Sequence, residues 1–144
     1  MQAVSDILQA KGHTAWSVGP QATVYEALQL MADKDVGALL VLENDRLVGV
    51  FSERDYARKI ILKGKSSRDT PVRDIMSEQL ITVQPEQTVA DCMALMTHQR
   101  VRHLPVLADG QLIGIVSIGD VVKAIMTQQE FEIDQLEKYI TGMR

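Results

Sequence analysis

Two stretches of the chain pair a hydroxyl with a carboxylate three residues on, just after an apolar run. They are "GVFSERD", Gly49 to Asp55, and "GIVSIGD", Gly114 to Asp120. Ser52 and Ser117 fall where an extended segment gives way to a helix. There a hydroxyl caps the new helix, and the free N–H groups of its first turn point toward an anion such as phosphate. Asp55 and Asp120 lie on the same side of that turn, where a carboxylate can accept two hydrogen bonds from a vicinal diol such as ribose. Phosphate and diol together describe a nucleotide. The same spacing also makes a capping box with no ligand at all, and the spacing does not choose between the two.

Other chemistry finds little footing. Cys92 falls on a helix position equivalent to Ala27 and reads as a small core residue. His13, His98 and His103 lack metal-ligand spacing, and no second cysteine exists to build a zinc site, so no metal is expected. His98 is expected at an exposed helix end, and Trp16 packed against the first strand. There is no Ser-His-Asp order, P-loop or dinucleotide GxGxxG, which argues against an enzyme. "SERDYARK", Ser52 to Lys59, reads as a solvated helix with a phosphate-facing edge.

Composition narrows the partners. A formal net charge of −4 gives no field to gather nucleic acid, and 4% aromatic content leaves few stacking platforms for bases. No window approaches the ~20 apolar residues of a membrane span. The N-terminus lacks the order of a signal peptide, and a lone cysteine cannot form an internal disulfide, so a reducing cytoplasm is expected. With 46% hydrophobic residues there is enough for a core, and with only 4% aromatic ones that core must be aliphatic.

The positioning elements emerge when the chain is slid along itself. A shift of 65 positions lays Ser17–Ile60 on Thr82–Ile125 without a gap, with about a third of the pairs identical, among them Pro20/Pro85, Met31/Met96, Gly49/Gly114 and Asp55/Asp120. Upstream, "SDIL" at Ser5–Leu8 resembles "RDIM" at Arg73–Met76 at a shift of 68. Thr23 and Thr88, with Glu26 and Asp91 three residues on, cap amphipathic helices. "ALLVL" and "HLPVL", the turns "ENDR" and "ADGQ", and "LVGVF" and "LIGIV" read as hairpins. Ser52 and Ser117 then open helices over Glu53–Leu62 and Ile118–Met126. Gly49 and Gly114 inside strands mark a close approach by something else.

The fold class expected is α+β, two β-α-β-β-α repeats, each with a short lead helix, packed about a pseudo-two-fold axis. The first repeat with its lead helix spans 1–62, an exposed linker 63–71, the second repeat 72–126, and an amphipathic C-terminal helix 127–144. In that tail Phe131, Leu136, Tyr139, Ile140 and Met143 lie near one helical face, which is expected to pack on its own domain or join a second chain.

"GVFSERD" and "GIVSIGD", with "VGALLV" and "VRHLPV", resemble the cystathionine-β-synthase (CBS) domain in tandem, over Val4 to Met126. The resemblance implies a pair of units, often assembled into homodimers, that senses adenosyl ligands such as AMP, ADP, ATP, NAD(H) or S-adenosylmethionine without catalysis. It implies a first cleft of Ser52, Arg54, Asp55 and Arg58 with Val101, Arg102, His103 and Pro105. A second would use Ser117, Gly119, Asp120 and Lys123 with Val36, Gly37 and Ala38. Ser would meet phosphate, Asp the ribose hydroxyls, and the strand backbone the adenine edge. The first set gathers Arg54, Arg58 and Arg102 and is expected to take the more phosphorylated ligand; the second offers mainly Lys123. Leu40 stands where the family pattern has Pro, and Phe51 and Tyr56 thicken the first motif. With no catalytic or transport domain in the sequence, output is expected to pass to a separate, unidentified protein. The alternative is a constitutive dimerisation or interaction scaffold with vestigial clefts.

Overall fold

The computed structural model describes residues 2–141. Two compact units are present: Ala15–Leu80, and a second built from the N-terminal segment through Thr14 together with Ile81 onward. The units therefore do not follow sequence order, because the lead segments have been exchanged.

In the Ala15–Leu80 unit, β1 (Ser17–Val18) runs parallel to β2 (Ala38–Glu43), which pairs antiparallel with β3 (Arg46–Ser52). Asn44 and Asp45 both take positive φ, 51° and 63°, the left-handed turn whose twist matches a two-residue hairpin. Between β1 and β2 lies α2 (Val24–Lys34), whose Thr23 hydroxyl accepts the Glu26 N–H at 3.1 Å. Glu53–Tyr56 forms one α-turn, α3, as the Ser52 cap predicts, but Ala57–Ile61 then widens into a π-turn. Val24, Ala27, Met31, Leu39, Val41, Phe51 and Ile60 make the core, closed by Val72 and Ile75 from the lead segment of the second repeat.

The other unit repeats this with α4 (Val89–Gln99), β4 (His103–Ala108), β5 (Gln111–Ser117) and α5 (Ile118–Ile140); a parallel bridge from Val83 to Val106 stands where β1 stands in the first. Its core of Val89, Cys92, Met96, Leu104, Val106, Val116 and Val121 is closed by Val4, Ile7 and Leu8 of α1 (Val4–Lys11). Cys92 is fully buried, as expected of a core residue, and burial first, then the neighbouring Asp91 charge, push its thiol up to about 11.

The exchanged lead segments make corresponding bonds. Val4 N–H donates to Gln87 O and Ser5 N–H to Pro85 O in one unit; Val72 N–H donates to Ala22 O and Arg73 N–H to Pro20 O in the other. Leu8 and Met76 then reach the strand glycines. A Cβ on Gly114 would lie 2.8 Å from Leu8 Cδ2, and one on Gly49 would lie 2.5 Å from Met76 Sδ and 3.0 Å from Ser77 O. The close approach that the strand glycines signal is thus made by the protein's own lead segments.

Two other expectations change. Trp16 is not packed in but 38% exposed, with Lys34 Nζ 4.3 Å above its ring. The tail is not a separate element, since α5 runs unbroken from Ile118 to Ile140 with Phe131, Leu136, Tyr139 and Ile140 exposed; Met143 lies outside the described residues.

Gly114→Val should destabilise the protein by about 1–3 kcal/mol, because the new side chain overlaps Leu8 and the lead helix cannot seat. Urea unfolding of Gly114→Val beside Gly19→Ala, where a Cβ would meet only Leu42 O at 4.0 Å, checks this. A loss no greater at 114 than at 19 would contradict the lead-segment contact.

Candidate functional site

Both strand-to-helix switches are built as the spacing predicts. Ser52 N–H and Oγ donate to Asp55 Oδ2 at 3.0 Å each, and Asp55 N–H returns to Ser52 Oγ at 3.3 Å. Ser117 N–H donates to Asp120 Oδ2 at 2.8 Å, and Asp120 N–H to Ser117 Oγ at 3.2 Å. Both are complete capping boxes, yet they differ from the caps of α2 and α4, where the bonds of Thr23 and Thr88 are exposed. Here the carboxylates are drawn in, with side-chain exposures of 15% for Asp55 and 21% for Asp120.

The strand residues reach the switch of their own unit. Gly37 O accepts Glu53 N–H at 3.1 Å and Ala38 pairs with Ser52; Arg102 O accepts Ile118 N–H at 2.9 Å and His103 pairs with Ser117. Val36 and Val101, both half-buried, precede these strands, and Pro105 is buried within β4. Arg54 is half-buried, whereas Arg58, Lys123 and Gly119 are exposed. A Cβ on Gly119 would meet only Ser117 Oγ at 3.6 Å, so packing does not require glycine there.

Two residues at the switches are absent from the sequence-based sets. Lys59 Nζ lies 3.2 Å from Asp55 Oδ1 and donates to Ile75 O at 3.0 Å. Lys11 Nζ lies 2.7 Å from Asp120 Oδ2 and donates to Ile115 O at 2.9 Å. The first was legible as an Asp and a Lys four apart on one helix face. The second, 109 positions from its partner, becomes visible only once α1 is seen to pack with the second repeat. The sequence, which offers mainly Lys123 for this set, does not show Lys11.

Burial alone would raise the Asp120 carboxyl. The hydrogen bond and charge of Lys11, with the backbone and hydroxyl of Ser117, outweigh it and hold the group below its ordinary 3.8. Among the described residues no group of His, Cys, Asp and Glu could hold a metal ion, and no helix is long and apolar enough to cross a membrane.

The CBS domain family model matches this sequence twice, over residues 4–62 and 72–127. The chain belongs to the CBS domain family. CBS domain pairs are generally regulatory modules. The mitochondrial CBS domain-containing protein CBSX3 of Arabidopsis thaliana is 46% identical over 149 aligned positions, covering 96% of this chain and 72% of that protein. The structure of a protein with CBS domains from Burkholderia ambifaria MC40-6 is 48% identical with a TM-score of 0.86, covering 89% of this chain and 96% of that one. The CBS domain pair of protein MJ0100, in complex with 5′-methylthioadenosine and S-adenosyl-L-methionine, shares the fold at 21% identity and a TM-score of 0.79, covering 89% of this CBS chain and 98% of that one.

Because the Asp120 carboxyl is held below its unfolded value, its contribution is present above pH 3.8 and is lost as pH falls through the depressed native value. Asp120→Asn should therefore be less stable than the parent near neutral pH, and the gap should close on acidification below 3.8. Paired urea melts across that range check it; a gap that stays constant with pH would show that the carboxylate charge contributes nothing.

Proposed function

We propose that the chain is a non-catalytic regulatory module that binds an adenosyl ligand, such as AMP, ADP, ATP, NAD(H) or S-adenosylmethionine, at its Ser-x-x-Asp switches and reports occupancy to a separate protein. The observation that carries this reading is the drawn-in carboxylate box at equivalent positions of both repeats, in a chain of the CBS family. Ser52 and Ser117 meet phosphate and Asp55 and Asp120 the ribose diol, with Arg54, Arg58 and Lys123 as further cations and the 36–38 and 101–103 strand backbones, with Pro105, at the adenine. The ligands of the MJ0100 protein are of this class, and signal transduction is the role suggested for the Burkholderia ambifaria protein. Such binding needs no metal, and the buried thiol suits a reducing compartment such as the cytoplasm. Occupancy becomes a signal only if the ligand binds two arrangements of the protein with different affinity.

Thermal melts with these ligands, and with guanosine nucleotides as control, test the reading. Ligand at 100 times its Kd should add about 2.7 kcal/mol of stability. Asp55→Ala and Asp120→Ala together should remove the shift. No shift by any adenosyl ligand at millimolar concentration would overturn it.

A second reading, a homodimeric scaffold, is favoured by α5. Val122, Met126, Gln129, Ile133, Leu136 and Ile140 recur at alternating spacings of four and three along one exposed face, the seam of a two-stranded coiled coil. At about 100° per residue, Phe131 falls on the opposite face and Ile133 joins the seam, which corrects the sequence-based stripe. Laid antiparallel on a second copy, the seam sets Met126 against the partner's Leu136, Gln129 against the partner's Ile133 and Val122 against the partner's Ile140. Lys123 then flanks the partner's Glu137, while Glu130 and Glu132 each face their own copies at the centre and keep the association modest. Light scattering should find a dimer that Ile133→Glu converts to monomer, without lowering the melting temperature of the units. A monomeric parent would exclude this dimer.

A further inference from the structure

We infer that Lys11 selects the charge of the ligand at the Ser117/Asp120 switch: it occupies the ribose-binding carboxylate until a phosphate takes over its ammonium, so the site favours adenosyl phosphates over uncharged nucleosides. This rests on the reading above.

Asp120 Oδ2 already accepts both Ser117 N–H and Lys11 Nζ. A ribose diol must therefore compete with an ammonium for the carboxylate. The displaced ammonium cannot travel far. Lys11 ends α1, whose Leu8 is pressed onto Gly114; Gly12 follows at φ 99° with its N–H on Leu8 O; and His13 Nδ1 lies 2.9 Å from Ile113 O. Held there, Nζ stays within a side chain's reach of the first turn of α5, where the anion would sit. A phosphate offers it a charge-assisted hydrogen bond in exchange for Asp120, whereas a neutral nucleoside leaves it with Ile115 O alone.

Helix capping does not explain the lysine. The Thr88/Asp91 box is complete, and among the described residues neither Asp91 nor Glu26 takes part in an ion pair. Duplication does not explain it either. The position matching Lys11 in the other lead segment is Gln79, and the position matching Lys59 is Ala124. Two unrelated positions deliver an ammonium to the two equivalent carboxylates, which is the pattern expected if the carboxylate, rather than the cap, is what the lysine serves.

The test uses calorimetric titration of AMP and adenosine in an Asp55→Asn background, which leaves one intact switch. Lys11→Met should tighten adenosine and weaken AMP, collapsing the preference for AMP by about tenfold or more, while Lys11→Arg retains it. Thermal melts establish that each variant is folded, with Lys11→Gln as the substitute if Lys11→Met is not. The inference is overturned if Lys11→Met shifts both ligands equally, or neither, while Asp120→Asn still abolishes binding; Lys11 is then a structural ion pair at a genuine site. If Asp120→Asn leaves both affinities unchanged, the switch is not a nucleotide site, and the inference falls with that reading.

Discussion

The structure depends on the missing side chains of Gly49 and Gly114. Each glycine leaves a bare patch of strand backbone, and into each a lead segment lowers one side chain, Met76 or Leu8. The residues beside that contact are placed with it. In one unit Ser77 bonds both ways with Val50, which fixes Ile75 O under Lys59; in the other, the seating of Leu8 aims the end of α1 along β5, which puts Lys11 between Ile115 O and Asp120. A steric constraint at one strand position thus sets the electrostatics of a carboxylate several residues away.

The carboxylates are poised rather than satisfied once and for all. A cap alone would be served by the serine and the backbone, as at Thr88 and Asp91. Adding an ammonium to a half-buried carboxylate stabilises the charged form against desolvation. On the proposed reading it also leaves a cation that would be freed when a diol claims the carboxylate. Such an arrangement would couple the two ends of a bound nucleotide, because what the ribose displaces the phosphate could receive.

Much of this was legible in the sequence. Period-3.6 apolar spacing after Thr23 and Thr88, the left-handed turns at Asn44-Asp45 and Asp109-Gly110, and the Ser-x-x-Asp boxes are local features, and local features leave local signals. The duplication carried the rest of the core, since Val24, Met31, Leu39 and Val41 recur as Val89, Met96, Leu104 and Val106. What the sequence could not show was the exchange of lead segments. The bonds of Val4 and of Val72 match element for element, so either lead could have served either repeat by residue type alone. Lys11 was invisible for the same reason. The seam of α5 is also a local signal: at 100° per residue Val122, Met126, Gln129, Ile133, Leu136 and Ile140 share a face that excludes Phe131.

The exchange also bears on how the two repeats diverged. The bonds of Val4 and Ser5 correspond to those of Val72 and Arg73, and the strand glycines and the boxes recur in both units. The cations did change: Lys59 comes from the helix that carries its own carboxylate, whereas Lys11 comes from the exchanged lead. A lysine on the same helix moves with its carboxylate. A lysine on a lead segment ties the carboxylate to α1, and hence to the core around Leu8 and Val4. The position of the Lys11 ammonium therefore depends on how a lead segment is seated, whereas that of Lys59 follows from the helix it shares with Asp55.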